Sequence, residues 1–293
     1  MHRCLSHRFG MGMLRLLLAI GCLGTAWQSP TEAKEEKPSA ALQSTTSRAA
    51  KQEATQAIPL ERLAPKQRRA VQQVLDDCSL YRRMPTGVVA CQPDMFTFLM
   101  QHPEVLVDIW RELGISQVDL RRMNEHNFHL TDNAGMTAGL TIVEQQCEPG
   151  AQNRIVMYAD GAYDGKPFKR PVRVQCVLLL RSGSFQETND KTYVAARLDT
   201  FIRIDRTSIK LFAKALHPLV GKTADANFLD TLTFVSNLSQ AAEQNPGSVE
   251  RMVRSLPRTS SQLQHEMLSI ASRDAVASPV KRAKTARAGR SVK

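Results

Sequence analysis

His126 and His129 are the first residues to weigh for chemistry, because two imidazoles three positions apart on a helix can share a metal ion. The stretch Asn127 to Thr131 reads as a strand, however, and three positions along a strand put the rings on opposite faces. Both therefore read as sheet or turn histidines. His102 and His217 each precede a proline and read as punctuation at helix ends. A hydrolase needs a nucleophile beside a base and an orienting group. Ser182 and Ser184 flank Gly183, but no G-x-S-x-G turn surrounds them. Asp160 and Asp164 flank Gly161-Ala162-Tyr163, and paired carboxylates can move protons or bind a cation. Here a turn accounts for Asp164 and a strand end for Asp160. The stripe Arg197, Asp199, Arg203 and Asp205 reads as a solvated sheet face with cross-strand ion pairs. No phosphate-cradling glycine loop is present. Aromatic residues make up only 5% of the chain, too few for sugar-stacking or single-strand platforms. The expectation is no catalytic residue, no metal and no cofactor. An uncharacterised hydrolase built on Ser184, His126 and His129 is the weakest of three functional readings.

The first 33 residues decide how the cysteines are read. Arg3, Arg8 and Arg15 precede an apolar run from Leu16 to Trp27, and small residues follow at Thr31 and Ala33. A basic start, a short apolar core and a small-x-small site form a secretory signal peptide. The apolar run is about 12 residues, whereas a spanning helix needs roughly 20. Lipid attachment at Cys22 is the alternative, with Ala19 where a leucine is usual. The absence of paired arginines points to the general secretory route and a periplasmic or extracellular location. No later stretch is long and apolar enough to cross a membrane. Removal of the signal leaves Cys78, Cys91, Cys147 and Cys176, which allow three disulfide pairings in an oxidising compartment. Cys78 with Cys91 closes the shortest loop.

The formal charge of +11 is unevenly distributed. Lys281, Arg282, Lys284, Arg287, Arg290 and Lys293 give the last thirteen residues +6 without an acid, and residues 1–33 carry +2, leaving +3 between them. A near-neutral middle argues against a broad nucleic-acid groove. The tail suits contact with an anionic envelope polymer, with strong salt dependence. Residues 34–64 lack aromatic residues and read as a disordered linker, and 257–293 read as a disordered basic tail. Residues 65–256 remain as a single α+β domain.

The elements follow from periodicity. Pro65 opens a helix with Val71, Val74 and Leu75 on one face. Thr86 to Cys91 reads as a strand, and Pro93 opens two short helices separated by Pro103. From Val118 the period becomes two. Asp164-Gly165 is a hairpin turn, and Val172, Val174, Cys176, Leu178 and Leu180 line one face of a strand. Val194 to Ile204 alternates in the same way, and Ser182 to Ser184 reads as a polar loop. Helices follow over 209–216, 223–243 and 248–254. This predicts an α+β fold: a curved antiparallel sheet of about five or six strands, one face to solvent, packed on a long C-terminal helix.

This order of elements, over roughly Thr86 to Glu243, resembles the helix-grip fold of the START and polyketide-cyclase-like superfamily. A cystatin- or NTF2-like cone is the alternative. The resemblance implies an apolar cavity between sheet and helix. Its lining would be Val174, Cys176, Leu178 and Leu198 with Phe228, Leu229, Leu232 and Val235, holding a small apolar ligand or lipid. The leading expectation is thus an exported, non-catalytic ligand-binding domain, and the second is an envelope interaction protein using its basic tail.

Overall fold

The computed structural model describes residues 43–148, 152–165, 168, 170–188, 191–204 and 206–277. Two helices come first, α1 (Arg48–Gln56) and α2 (Pro65–Asp76), with a 3-10 turn at Leu60–Arg62 between them. Strands β1 (Leu80–Arg83) and β2 (Gly87–Ala90) are followed by helices α3 (Pro93–Gln101) and α4 (Pro103–Glu112). Six strands then run consecutively: β3 (Asp119–Arg122), β4 (Asn127–Thr131), β5 (Met136–Gln146), β6 (Asn153–Tyr163), β7 (Val172–Gln186) and β8 (Thr192–Ile204). Helices α5 (Arg206–Gln244), α6 (Pro246–Ser255) and α7 (Ser261–Ala277) complete the order.

All strand pairs are antiparallel and form one open eight-stranded sheet, ordered β1-β8-β7-β6-β5-β4-β3. β1 and β2 pair with successive segments of β8, so together they make one interrupted edge. The architecture is α+β, as expected, but the sheet has two or three strands more than the five or six predicted. β1 and β3 are four residues each and too short for period-two alternation to stand out.

Helices cover both faces, which corrects the expectation of one solvated face. On the first face, Leu178 and Leu198 join a buried cluster with Phe96, Ile109, Leu232 and Met267 from the helices. On the second, Ala50 and Ala54 of α1 and Val71, Val74 and Leu75 of α2 pack against Val156, Val177, Leu179 and Phe201. β7 is apolar at four consecutive positions, 177 to 180, which suits a strand buried on both sides.

Both expected disordered segments need correction. Within 34–64, residues 48–56 form α1, whose N-cap Ser47 Oγ accepts a hydrogen bond from the Ala50 amide at 3.2 Å. Within 257–293, residues 261–277 form α7, which buries Met267, Ile270 and Ala271. The turn before it is tied down by Asp108, whose Oδ2 accepts from the Arg258 amide and the Thr259 hydroxyl. The remainder of the linker, 34–42, and the basic residues Lys281, Arg282, Lys284, Arg287, Arg290 and Lys293 lie outside the described residues. The separate helices expected over 209–216 and 223–243 are one helix, α5. Pro218 withholds one amide donor without ending it. Ser182, Gly183 and Ser184 belong to β7 rather than to a loop. Among the described residues, no helix is long and apolar enough to cross a membrane.

Candidate functional site

Alternation along β8 places Tyr193, Ala195, Arg197 and Asp199 on the second face. Cross-strand register sets Asp199 opposite Arg83 on β1, and Arg197 opposite Arg181, itself opposite Arg154 on β6. Three arginines therefore stand in one row across three adjacent strands, an arrangement that is unfavourable unless acids intervene. Two acids do so. Asp199 is 0% exposed and accepts from the Tyr81 hydroxyl at 2.7 Å, Arg83 Nε at 2.7 Å and Arg181 at 2.9 Å. Glu53 reaches down from α1 to pair with Arg181 at 2.5 Å and with Arg83. The Arg181 and Arg83 guanidiniums overcome partial burial and hold the Glu53 carboxyl at about 2. Burial and the Asp199 carboxylate push the Tyr81 phenol well above its ordinary range. The expected solvated stripe is therefore a helix-covered ion network at Asp199. Arg203 pairs with Asp77 at 3.3 Å, and Asp205 lies outside the described residues.

Arg197 stands at the margin of this network. Among the described residues its side chain makes no hydrogen bond, and its ion-pair contact is Glu53 at 3.7 Å. Burial, then the neighbouring Arg181 and Arg83 charges, lower its pKa. Beyond it, α1 and α2 no longer cover the sheet. The next same-face row is Val88, Ala195 and Gly183, and the one after is Ala90, Tyr193 and Phe185. Val88 is 49% exposed and Phe185 44%, with the Phe185 ring stacked on Tyr193 at 5.8 Å. An apolar, open end of the sheet thus borders an incompletely neutralised arginine.

The residues expected to line a cavity divide differently. Leu178, Leu198, Phe228, Leu232 and Val235 are buried in one packed cluster, against which Cys176 also packs. Val174 belongs to a smaller cluster with Val172, Ile202 and Ile204. Leu229 is 37% exposed, with its Cδ2 beside Gly87 on β2. A pocket of about 10 Å³ on this side is lined by other residues, including Phe96, Asn153 and Ser182, and holds about one water. Cys78, Cys91, Cys147 and Cys176, weighed above as possible disulfide partners, form no disulfide with one another. Cys91 lies in the first-face core and Cys78 packs against the second-face core, so the sheet stands between the expected partners. Burial raises the Cys78, Cys147 and Cys176 thiols above their ordinary value.

The candidate chemical groups are dispersed. His126 is exposed and 3.7 Å from Glu125, while His129 is an exposed residue of β4 opposite Gly139. Among the described residues, no three of His, Cys, Asp or Glu cluster as metal ligands. Asp160 is held below the usual carboxylate range by Arg173, with Gln175 and Tyr158 also in contact. A second buried ion pair joins Glu104 to Arg122 at 2.6 Å, beside His102, and braces α4 against β3. Sequence reasoning missed Tyr81, Arg83 and Arg181 as partners of Asp199, Glu53 as the second acid on those arginines, and Val88, Phe185 and Tyr193 as a surface. The available signal was the shared parity of positions 193, 195, 197 and 199.

No protein-family model matches the chain, and no curated protein matches it. Among solved structures, the chain is similar to a hypothetical protein from Helicobacter pylori, determined at 1.88 Å. The two share 15% identity over 52% of this chain and 84% of that one, with a TM-score of 0.34.

Proposed function

We propose that the chain is an exported, non-catalytic domain that docks a protein partner on the open end of its sheet. The observation that carries this reading is the exposed Val88–Phe185–Tyr193 surface, which stays bare where α1 and α2 cover the rest of that face. Exposed apolar surface of this kind marks interaction sites. Five expected cavity residues lie together in one buried cluster, which supports a binding surface on the outside of the sheet. The basic start and short apolar run of residues 1–33 support export.

Site-specific photo-crosslinking in producing cells tests the reading. A crosslinker at position 88 or 185 is expected to give an adduct of one common mass. Position 113 is the control, because Leu113 is equally exposed but lies elsewhere. Adducts at 88 and 185 no stronger than at 113 would refute the docking surface.

A further inference from the structure

We infer that the docked partner element is an amphipathic helix whose acidic side chain pairs with Arg197. This deepens the docking reading and rests on it.

Charge comes first. Arg83, Arg181 and Arg197 face two acids, Glu53 and Asp199. Arg83 and Arg181 bind both acids and leave Arg197 only the 3.7 Å approach to an oxygen that Arg181 already holds at 2.5 Å. Its lowered pKa has the same origin, burial beside two like charges. A carboxylate arriving from outside completes the pairing, and a charge-assisted pair with a guanidinium is the strong form of such a contact.

The form of the partner follows from what is already occupied. Strand addition needs a free edge, and this edge is taken at two points. Thr45 exchanges backbone hydrogen bonds with Arg83 on β1, and the Ala90 carbonyl on β2 accepts from Ser236 of α5. The face above Val88, Ala195 and Tyr193 remains, and helices are what cover the rest of this sheet face. Same-face residues on a strand are about 7 Å apart. Arg197 and the Tyr193 row are therefore roughly 13 Å apart, or about two and a half helical turns. A helix laid along β8 beside α1 then places an acid on Arg197. One turn further it presents an apolar residue to Val88, and a turn beyond that another to the Phe185–Tyr193 pair.

A displayed library of helical peptides, randomised on one face and panned against the signal-free chain, tests this. Arg197→Gln, Arg197→Glu and Val88→Asp are the comparison proteins, all at surface or half-exposed positions, with thermal unfolding as the fold control. Enriched peptides are expected to carry Asp or Glu one turn from one apolar position and two turns from a second. They should lose tenfold or more in affinity to Arg197→Gln, favour a lysine at the acidic position with Arg197→Glu, and gain helical circular dichroism on binding. Peptides abolished by Val88→Asp yet indifferent to Arg197→Gln, or bound without gaining helix, would overturn the inference and leave the docking surface standing. A library that yields no binder sensitive to Val88→Asp would overturn both.

Discussion

Asp199 is the residue on which the second face depends. It neutralises Arg83 and Arg181 and accepts the Tyr81 hydroxyl, with no exposed surface of its own. Asp199→Ala leaves Arg83 and Arg181 to share Glu53 alone and strands the Tyr81 hydroxyl, so a loss of about 3–5 kcal/mol is expected, the usual cost of breaking a buried pair. A urea midpoint unchanged from wild type would refute this. Tyr81→Phe removes one hydrogen bond and should cost only about 1 kcal/mol in the same assay. Glu53 sets an acid-side dependence. Its folded pKa of about 2 lies below the ordinary carboxylate value, so its contribution is complete above about pH 4.5 and disappears as pH falls towards 2. Glu53→Gln should therefore reduce stability at pH 7 and approach wild type near pH 2. A difference that stays constant over that range would contradict the assigned pairing. The face of Asp199 was legible from the alternation of β8, but its burial was not. Its cover comes from Arg48–Gln56, and an Ala- and Gln-rich segment carries the composition of a linker.

At the scale of elements, α1 was hidden because it buries only Ala50 and Ala54. Small residues leave little periodic signal, and the apolar surface they meet belongs to the strands. That complementary surface was readable: Val177 and Leu179 lie on the face of β7 assigned to water through Arg173, Gln175 and Arg181. The strong periods of α2, α3, α4, β5, β7 and β8 placed those elements correctly, whereas the four-residue β1 and β3 were too brief to show. β2 is held to α5 by close contact. A Cβ at Gly87 would stand 2.3 Å from Leu232 Cδ1, itself buried. Gly87→Ala should cost about 1–3 kcal/mol through overpacking, read as a lowered thermal midpoint. The paired change Gly87→Ala with Leu232→Val should recover part of it. A Gly87→Ala protein as stable as wild type would mean that α5 sits further from β2.

At the scale of the whole molecule, the sheet separates two cores, with Cys91 in one and Cys78 against the other. Alkylation in denaturant without reductant should label Cys78, Cys91, Cys147 and Cys176 alike, and reductant should leave the melting temperature unchanged. A bridge between any two of these four in the peptide map would refute this. The fold class was legible because strand runs followed by helices permit few architectures. The docking surface was not, since exposure at Val88 and Phe185 depends on where the covering helices stop. The same placement has a consequence in time. The Glu53 anchor of α1 finds Arg181 only 128 positions later in the chain. At synthesis rates of roughly 5–20 residues per second, that interval is on the order of ten seconds. Through it the leading segment can meet Arg83 of β1 but lacks the β7–β8 face on which α1 packs, and it stays available to any factor that reads nascent chains. Only the arrival of β7 and β8 closes that window.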